Sequence, residues 1–339
     1  MNSLIDRKIL NRDEEPHFYV YSQIMDGREQ TGIIGLNSID DYENNKIKKH
    51  EHTLPKKEQD RINNFIYCKA HTEPIMLIHK RCEAINAVIA KIKQNPAEYD
   101  FTDEQGVRQM LWVVGGDDCA AIESAFAGMD CVYIADGHHR AASSYRSGLI
   151  MREKTPGCKE TEEFNYIMSA IISEDDLYVM DYNRLVTDLG SYSVSGFIEA
   201  LREDFEITEK NQMYIADKKH VFSMYAEGRW YAIEAKSGSF DENDPIKSLD
   251  ASILQANVFD KLLSIKDPRT SDRLQFIGGI RGYEELKQAV DSNRAKAAFG
   301  VYPVSINDLI NVADKGLIMP PKSTWFEPKL RSGLIVHQF

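Results

Sequence analysis

Short apolar runs separated by turn-forming residues dominate the first third of the chain. Residues 17–25 (HFYVYSQIM) predict a strand, Asp26-Gly27 predicts a turn, and the apolar run IIGL predicts a second strand. Together they predict a β-hairpin, because Asp-Gly is a favoured two-residue hairpin turn. The polar stretch 38–48 predicts a loop, and Pro55 favours a helix that begins near residue 55.

Downstream, predicted strands and helices alternate, with hairpins between some of them. Strands are predicted at 74–80, 107–115, 131–135, 165–172, 219–226, 229–235, 274–278, 297–302 and 333–338. Helices are predicted at 82–94, 117–128, 138–148, 195–204, 250–264, 283–291 and 305–313. The apolar faces of helices 82–94 and 250–264 predict core positions. Alternation interrupted by hairpins predicts an α+β, or mixed α/β, fold with mixed sheets.

The length and one polar segment predict two domains. The chain has 339 residues, enough for two domains at about 150 residues each. The stretch 151–164 is polar and contains Pro156-Gly157, a combination typical of a boundary or a surface excursion. We therefore predict a site-bearing domain over 15–150 and a second α/β domain over 160–339.

Composition narrows the class of protein. Hydrophobic residues make up 42% and the formal net charge is -12, which fits a globular chain and disfavours a nucleic-acid binder. No apolar run approaches the length of a membrane span, and the N-terminus has no apolar signal-peptide core, so a cytoplasmic protein with no membrane partner is expected. The five cysteines form no CxxC pair, so we expect free thiols in a reducing compartment.

The segment CVYIADGHHRAAS carries the strongest chemical signal. A predicted buried strand ends at Asp136, Gly137 allows a sharp turn, and a helix begins at His138 or His139. The first N–H groups of a helix lack intrahelical partners and carry partial positive charge, which suits a phosphate group. Arg140 adds a planar donor fork, and Asp136 is a candidate for holding a divalent metal or orienting a histidine. A plain helix cap with solvated histidines is the alternative.

Two other segments offer candidate side chains. In the HEHT segment, Glu51 lies between two histidines, which can adjust its protonation for a general base; the alternative is a solvated surface loop. The tail MPPKSTWFEPK places Lys322 near aromatic residues, so that Lys322 could reach a phosphate and Trp325 could cover a base. The alternative there is an aromatic plug between domains. The sequence GGIRG is not a dinucleotide-binding fingerprint, and helix packing accounts for its glycines.

Seven segments spread over nearly the whole chain form a recognisable set: FYVYSQ (18–23), residues 31–61, EPIMLI (73–78), LWVV (111–114), YIADGHHRAAS (133–143), SLDASILQ (248–255) and MPPKSTWFEPKLRSGLIV (319–336). Through these segments the chain resembles the domain of unknown function 1015 family, which is related to free-serine kinases, and its helix start is similar to the ParB/sulfiredoxin-like fold. Two departures accompany it. The segment 76–135 is longer than a minimal ParB-like domain carries, and the Pro-Pro-Tyr-Asp stretch usual in relatives does not occur, so the chain is expected to start partway into the family pattern.

The resemblance implies a ParB/sulfiredoxin-like domain that binds ATP or ADP with Mg²⁺ and transfers a phosphoryl group to a small hydroxyl compound, L-serine by analogy. The implied catalytic residues are His50, Glu51 and Asp136, with Glu51 as the base and Asp136 as the metal ligand. The implied nucleotide-binding residues are Gly137, His138, His139 and Arg140, and Lys322 is added to them from the composition of the tail. A homodimer is an expected assembly. Two alternatives stay open: a non-catalytic nucleotide-sensing module and a ParB-like nucleic-acid-associated protein, which the acidic charge disfavours.

Overall fold

The chain folds into two compact units with mixed α/β structure, in a computed structural model that describes residues 2–339. Unit 1 runs to Tyr178 and includes Pro328–Phe339, and unit 2 comprises Val179–Glu327. The predicted fold class is thus confirmed. The segment 151–164, predicted as a boundary or a surface excursion, lies inside unit 1 and is mostly exposed to solvent. Its polar composition therefore reflects a surface excursion.

Unit 1 is built on an eight-stranded sheet. Its helices are α1 (Asn2–Asp6), α2 (Ile39–Glu43), α3 (Pro55–Cys68), α4 (Glu83–Ile92), α5 (Asp117–Ala127) and α6 (His138–Lys154). Its strands are β1 (Phe18–Met25), β2 (Arg28–Ser38), β3 (Ile47–Lys48), β4 (Ala70–His71), β5 (Ile75–His79), β6 (Tyr99–Thr102), β7 (Arg108–Val114), β8 (Val132–Asp136), β9 (Tyr166–Ser173) and β18 (His337–Gln338).

The sheet of unit 1 mixes parallel and antiparallel pairs, as predicted. Its strand order is β3-β8-β5-β9-β2-β1-β7-β6, and β18 pairs separately with β4. The β3/β8 and β5/β9 pairs are parallel, whereas β5 and β8 run antiparallel. As a result, the carboxyl end of β8 lies beside the start of β5. This end of the sheet carries the candidate site.

Apolar side chains of the sheet are covered by helices in two clusters. In one, Ile85, Val88 and Ile92 of α4 pack with Trp112 of β7, which confirms the core predicted for helix 82–94. In the other, Ala141 of α6 packs among isoleucines from β5, β8 and β9. Burial of an aliphatic side chain contributes about 1.5 to 3 kcal/mol, so the second cluster fixes α6 against the end of β8.

The stretch 38–48, predicted as a loop, contains α2 and β3. Ser38 caps α2 by accepting a hydrogen bond from the Asp40 N–H, and β3 pairs in parallel with β8. Both elements are very short, five and two residues. Elements of this length are too short to show a repeat of apolar positions in the sequence. The predicted loop was wrong here because that signal is missing.

Helix α6 does not end at Gly148, as the sequence suggested, but continues to Lys154. A Cβ at Gly148 would lie 2.6 Å from the Phe164 carbonyl oxygen and 2.7 Å from Ile39 Cδ1. Glycine therefore serves close packing in the helix interior rather than termination.

Gly148→Ala is expected to destabilise unit 1 by about 1 to 3 kcal/mol, because the new methyl group must displace backbone and a buried isoleucine. Urea unfolding would measure the loss. Gly128→Ala is a matched control, since its Cβ would meet only ordinary contacts of 3.5 Å or longer. Equal stability of Gly148→Ala and wild type would contradict the packing role.

Unit 2 contains an antiparallel six-stranded sheet with the order β12-β14-β13-β16-β11-β15. Its strands are β11 (Tyr182–Val186), β12 (Phe205–Lys210), β13 (Val221–Ala226), β14 (Arg229–Ala235), β15 (Leu274–Gly278) and β16 (Ala297–Gly300). Its helices are α7 (Val194–Leu201), α8 (Asp250–Leu254), α9 (Gly282–Asp291) and α10 (Ile306–Asp314). A separate pair joins β10 (Tyr178–Met180) to β17 (Trp325–Glu327).

The predicted helix 250–264 and final strand 333–338 differ from the structure. After α8, residues Gln255–Asp260 form a π-helix, and the strand covers only His337–Gln338. The apolar side chains of 250–264 are nevertheless core, with Leu254 and Phe259 fully buried. Among the helices of residues 2–339, none has both the length and the apolarity that crossing a bilayer requires.

Candidate functional site

A strand, a one-residue turn and a long helix form the candidate site in unit 1. Strand β8 ends at Asp136, Gly137 adopts φ 99° and ψ 28°, and α6 begins at His138. A Cβ at Gly137 would lie 2.9 Å from Arg140 Nη2 and 3.1 Å from Ile75 Cγ2. Glycine is required here on both counts, because its backbone is left-handed and its neighbours leave no room.

The N-terminus of α6 has the character of an anion site. Gly137 is its N-cap residue, no side chain caps the helix, and its first turn contains no acidic residue. The first intrahelical bond is donated by the Ala141 N–H to the Gly137 carbonyl. The N–H groups of residues 138–140 therefore precede the helical ladder, where the helix dipole favours negative charge.

The HEHT segment lies directly against this helix start. The His50 N–H donates to His138 Nε2 at 3.4 Å, and the Leu54 N–H donates to His139 Nε2 at 3.0 Å. Glu51 is half-buried between these two attachments. The structure thus brings the two sequence-predicted motifs together, although more than 80 residues separate them along the chain.

Two of the predicted site histidines are buried and neutral. The His50 and His138 rings meet edge to face with centroids 4.3 Å apart, and they are 1% and 6% exposed. Burial lowers the pKa of His138 to about 3, and neighbouring positive charge adds to the effect. Burial and the neighbouring His138 also hold the pKa of His50 well below its usual value. His138 is therefore a neutral hydrogen-bond acceptor for the His50 N–H, and its contact with a phosphate stays a prediction.

Acidification is expected to destabilise the fold through His138. Its folded-state pKa of about 3 lies below the ordinary value of 6.5, so the unfolded chain binds more protons between those values. The free energy of unfolding therefore falls as the pH drops from 6.5 toward 3, by up to about 1.4 kcal/mol per pH unit. His138→Gln keeps an acceptor for the His50 N–H and is expected to remove this part of the slope.

Urea unfolding at pH 7, 6 and 5 would measure that slope. The exposed His52→Gln is the matched control, because losing a solvated imidazole removes no burial penalty. A His138→Gln slope equal to that of wild type would contradict the prediction.

Four charged side chains surround the turn. Arg140 donates through Nη1 to Glu73 and through Nη2 to Asp136 Oδ2 at 3.0 Å. Lys329 donates to Asp136 Oδ1 at 2.8 Å. The Arg140 side chain is only 11% exposed, so salt screens these ion pairs less than it screens pairs on the surface. The resulting network of two cations and two carboxylates fixes the strand-to-helix turn.

Sequence reasoning missed three of these contributors to the site. Glu73 precedes β5, Lys329 belongs to the C-terminal segment of unit 1, and the buried Glu58 of α3 approaches the HEHT segment. The sequence signals for them are weak, since Glu73 and Lys329 lie 67 and 193 residues from their partners. Only the EPIMLI and FEPKLRSG segments of the resemblance contain them.

Lys322 belongs to unit 2, not to the unit that carries the turn. Its Nζ lies 5.6 Å from the centroid of the Tyr182 ring, and its carbonyl accepts a hydrogen bond from Arg184 at 3.0 Å. Trp325 packs edge to face with Tyr182, 5.1 Å between centroids. The basic residue that contacts Asp136 from the tail is Lys329. A nucleotide contact from Lys322 stays a prediction.

The residues around Asp136 do not form a ready Mg²⁺ site. Both oxygens of this carboxylate hold a cation, Arg140 on one and Lys329 on the other. Residues 2–339 contain no group of three histidine, cysteine or acidic side chains arranged for a metal ion. Mg²⁺ needs near-octahedral oxygen ligands, commonly completed by water and substrate phosphates. Asp136 as a metal ligand stays a prediction that this charge pairing disfavours.

Comparisons with other proteins identify a family but no close relative of known activity. The model of the family described as "Protein of unknown function (DUF1015)" matches residues 1–252, and no curated protein matches the chain. A free serine kinase mutant in complex with AMP is 14% identical, with a TM-score of 0.45, covering 88% of this chain and 90% of that one.

Two further solved structures are similar at the same level. A conserved hypothetical protein from Pyrococcus furiosus is 16% identical, with a TM-score of 0.41, covering 88% and 94% of the two chains. SbnI with a C-terminal truncation, from Staphylococcus aureus, is 13% identical, with a TM-score of 0.40, covering 87% and 82%. All three TM-scores are below 0.5, so function has to be inferred from the site.

Proposed function

Because the chain belongs to the family described as Protein of unknown function (DUF1015), whose description names no activity, we propose a function from the site: a nucleotide-dependent phosphotransferase. The N-terminus of α6 binds a terminal phosphate of ATP or ADP. Glu51 accepts the proton of a small hydroxyl compound. The sequence resemblance to free-serine kinases points to L-serine as the first acceptor to test.

One observation carries the proposal. The segment that holds Glu51 is hydrogen-bonded at both ends to the first two residues of α6, so that the backbone carrying this carboxylate runs next to a helix N-terminus that no side chain caps. Phosphoryl transfer depends mainly on positioning and on neutralising phosphate charge. A single carboxylate next to a phosphate-binding helix end is the minimum set for it.

The reaction balances with the groups proposed. The acceptor hydroxyl loses its proton to Glu51, and its oxygen bonds to the terminal phosphorus. The bond from that phosphorus to the bridging oxygen breaks, and the nucleotide leaves with one phosphate fewer. The N–H groups of 138–140 hold the non-bridging oxygens. Arg140 fixes the turn through its acid partners, Glu73 and Asp136.

A non-catalytic nucleotide sensor is the second candidate. It is favoured by the charge pairing of Asp136, whose two oxygens already hold cations and so are less available for a catalytic metal. Such a sensor would use the helix N-terminus for binding and would have no turnover.

The deciding experiment combines binding with turnover. Calorimetry with ATP and ADP measures affinity, and ³¹P NMR follows mixtures of each nucleotide with Mg²⁺ or EDTA and a panel of hydroxy amino acids that includes L-serine. A new phosphomonoester signal is expected for one acceptor. Binding without product in every mixture would support the sensor, and absence of binding would refute both candidates. Sedimentation of the same samples tests the predicted homodimer.

A further inference from the structure

Glu58 is a buried carboxylate that the proposed reaction does not use. It lies in the first helical turn of α3, and its side chain is only 3% exposed. Burying a carboxylate is costly unless partners compensate for the lost water. Its partners should therefore reveal why it is there.

The partners come from two different parts of the site. The Thr53 hydroxyl donates to Glu58 Oε1, and Arg146 of α6 forms an ion pair with Oε2 at 2.9 Å. The Glu58 carbonyl oxygen accepts a hydrogen bond from Ser143 Oγ, also of α6, at 3.2 Å. One acidic residue thus connects the HEHT segment to the helix that begins at the candidate phosphate site.

The surroundings of Glu58 enclose its carboxylate, and its side chain is only 3% exposed. Burial raises the pKa of neighbouring Tyr42 to about 12, and the negative charge of Glu58 adds to that effect. Lys49 contacts Tyr42 in turn, with its Nζ 4.1 Å from the Tyr42 ring centroid and 3.3 Å from the Tyr42 carbonyl oxygen. The carboxylate is therefore enclosed.

We propose that Glu58 is a positioning residue: through Thr53 and Arg146 it holds the segment that carries Glu51 at a fixed distance from the start of α6. The effect of Glu58 on turnover rests on the proposed function. The link that Glu58 makes between Thr53 and Arg146 does not depend on it. Thr53 is two residues beyond Glu51, so that loss of the Thr53–Glu58 bond frees the backbone next to the base. A small displacement of a reacting group costs a large factor in rate.

Thr53→Val tests the inference with the least disturbance, because valine keeps the shape and removes the hydroxyl. We expect kcat to fall about tenfold, the size of one hydrogen bond to a charged group, with KM for the nucleotide unchanged. Thr53→Ser retains the hydroxyl and is expected to restore kcat. The exposed Thr102→Val, on the opposite edge strand β6, is the matched control.

Hydrogen exchange provides a readout that does not need activity. Amides of 50–54 are expected to exchange about tenfold faster in Thr53→Val and in Glu58→Gln than in wild type, and Thr53→Ser should match wild type. Unchanged exchange in both variants would overturn the positioning role, regardless of their catalytic activity. Faster exchange with no activity in the wild type would instead refute the proposed function and leave the structural link intact.

Discussion

Glu51→Gln is expected to reduce kcat for phosphoryl transfer by roughly 10²- to 10⁴-fold, the range that a general base contributes. The amide cannot accept the hydroxyl proton, but it has nearly the shape of the carboxylate. In the proposed site the N–H groups of α6 bind the nucleotide, so its affinity should stay within about threefold of wild type. Because half-buried Glu51 lies between the two attachments to α6, the substitution leaves those attachments in place.

Single-turnover kinetics and nucleotide calorimetry on the same preparation would separate the two effects. Glu123→Gln is the matched control, because Glu123 is exposed on α5 and the same atoms change there. Wild-type turnover by Glu51→Gln would remove Glu51 from the mechanism. A loss of nucleotide affinity equal to the loss of kcat would instead make it a binding residue.

Features that depend on neighbouring residues were predicted from the sequence correctly. The Asp26-Gly27 hairpin has both turn residues at positive φ and joins Met25 to Arg28, as a two-residue turn requires. The strands predicted at 219–226 and 229–235 are likewise joined by a two-residue turn, Glu227-Gly228, with both residues at positive φ. Such turns are determined by two to four consecutive residues, so no distant contact is needed to specify them.

Features that depend on distant partners were not predictable in the same way. Strand β6 (Tyr99–Thr102) is exposed at every position and is a strand only because β7 pairs with it. Gly148 was interpreted as a helix end because nothing local signals that Phe164 and Ile39 pack against it. Tertiary contacts decide such positions, and a single sequence does not contain those contacts explicitly.

The candidate site also has features that follow from consecutive residues and features that depend on distant partners. The turn at Gly137 and the start of α6 follow from the order of residue types, and the structure has both. The pairing of Arg140 with Glu73 joins residues 67 apart, and that of Asp136 with Lys329 joins residues 193 apart. Before the fold is known, Arg140 therefore looks available for phosphate, whereas its Nη1 and Nη2 atoms donate to carboxylates.

Replacement of Arg140 should accordingly reveal a structural role first. Arg140→Met is expected to lower the free energy of unfolding by about 2 to 3 kcal/mol, because Glu73 and Asp136 both lose the guanidinium with which they pair. This is the low end for buried pairs, because the side chains of Glu73 and Asp136 are 28% and 34% exposed. Lys329 still neutralises part of the charge on Asp136.

A double variant separates stability from binding. Glu73→Gln combined with Arg140→Met removes the Glu73 charge that Arg140→Met alone leaves unpaired. We therefore expect the double variant to recover about half of the lost stability. If the backbone of α6 holds the phosphate, nucleotide affinity of the double variant stays within about threefold of wild type. If affinity remains more than tenfold weaker after stability recovers, Arg140 leaves its acid partners to bind phosphate directly. The turn would then be a salt-bridge lock that the nucleotide opens, and the guanidinium would belong to the binding machinery as the motif first suggested.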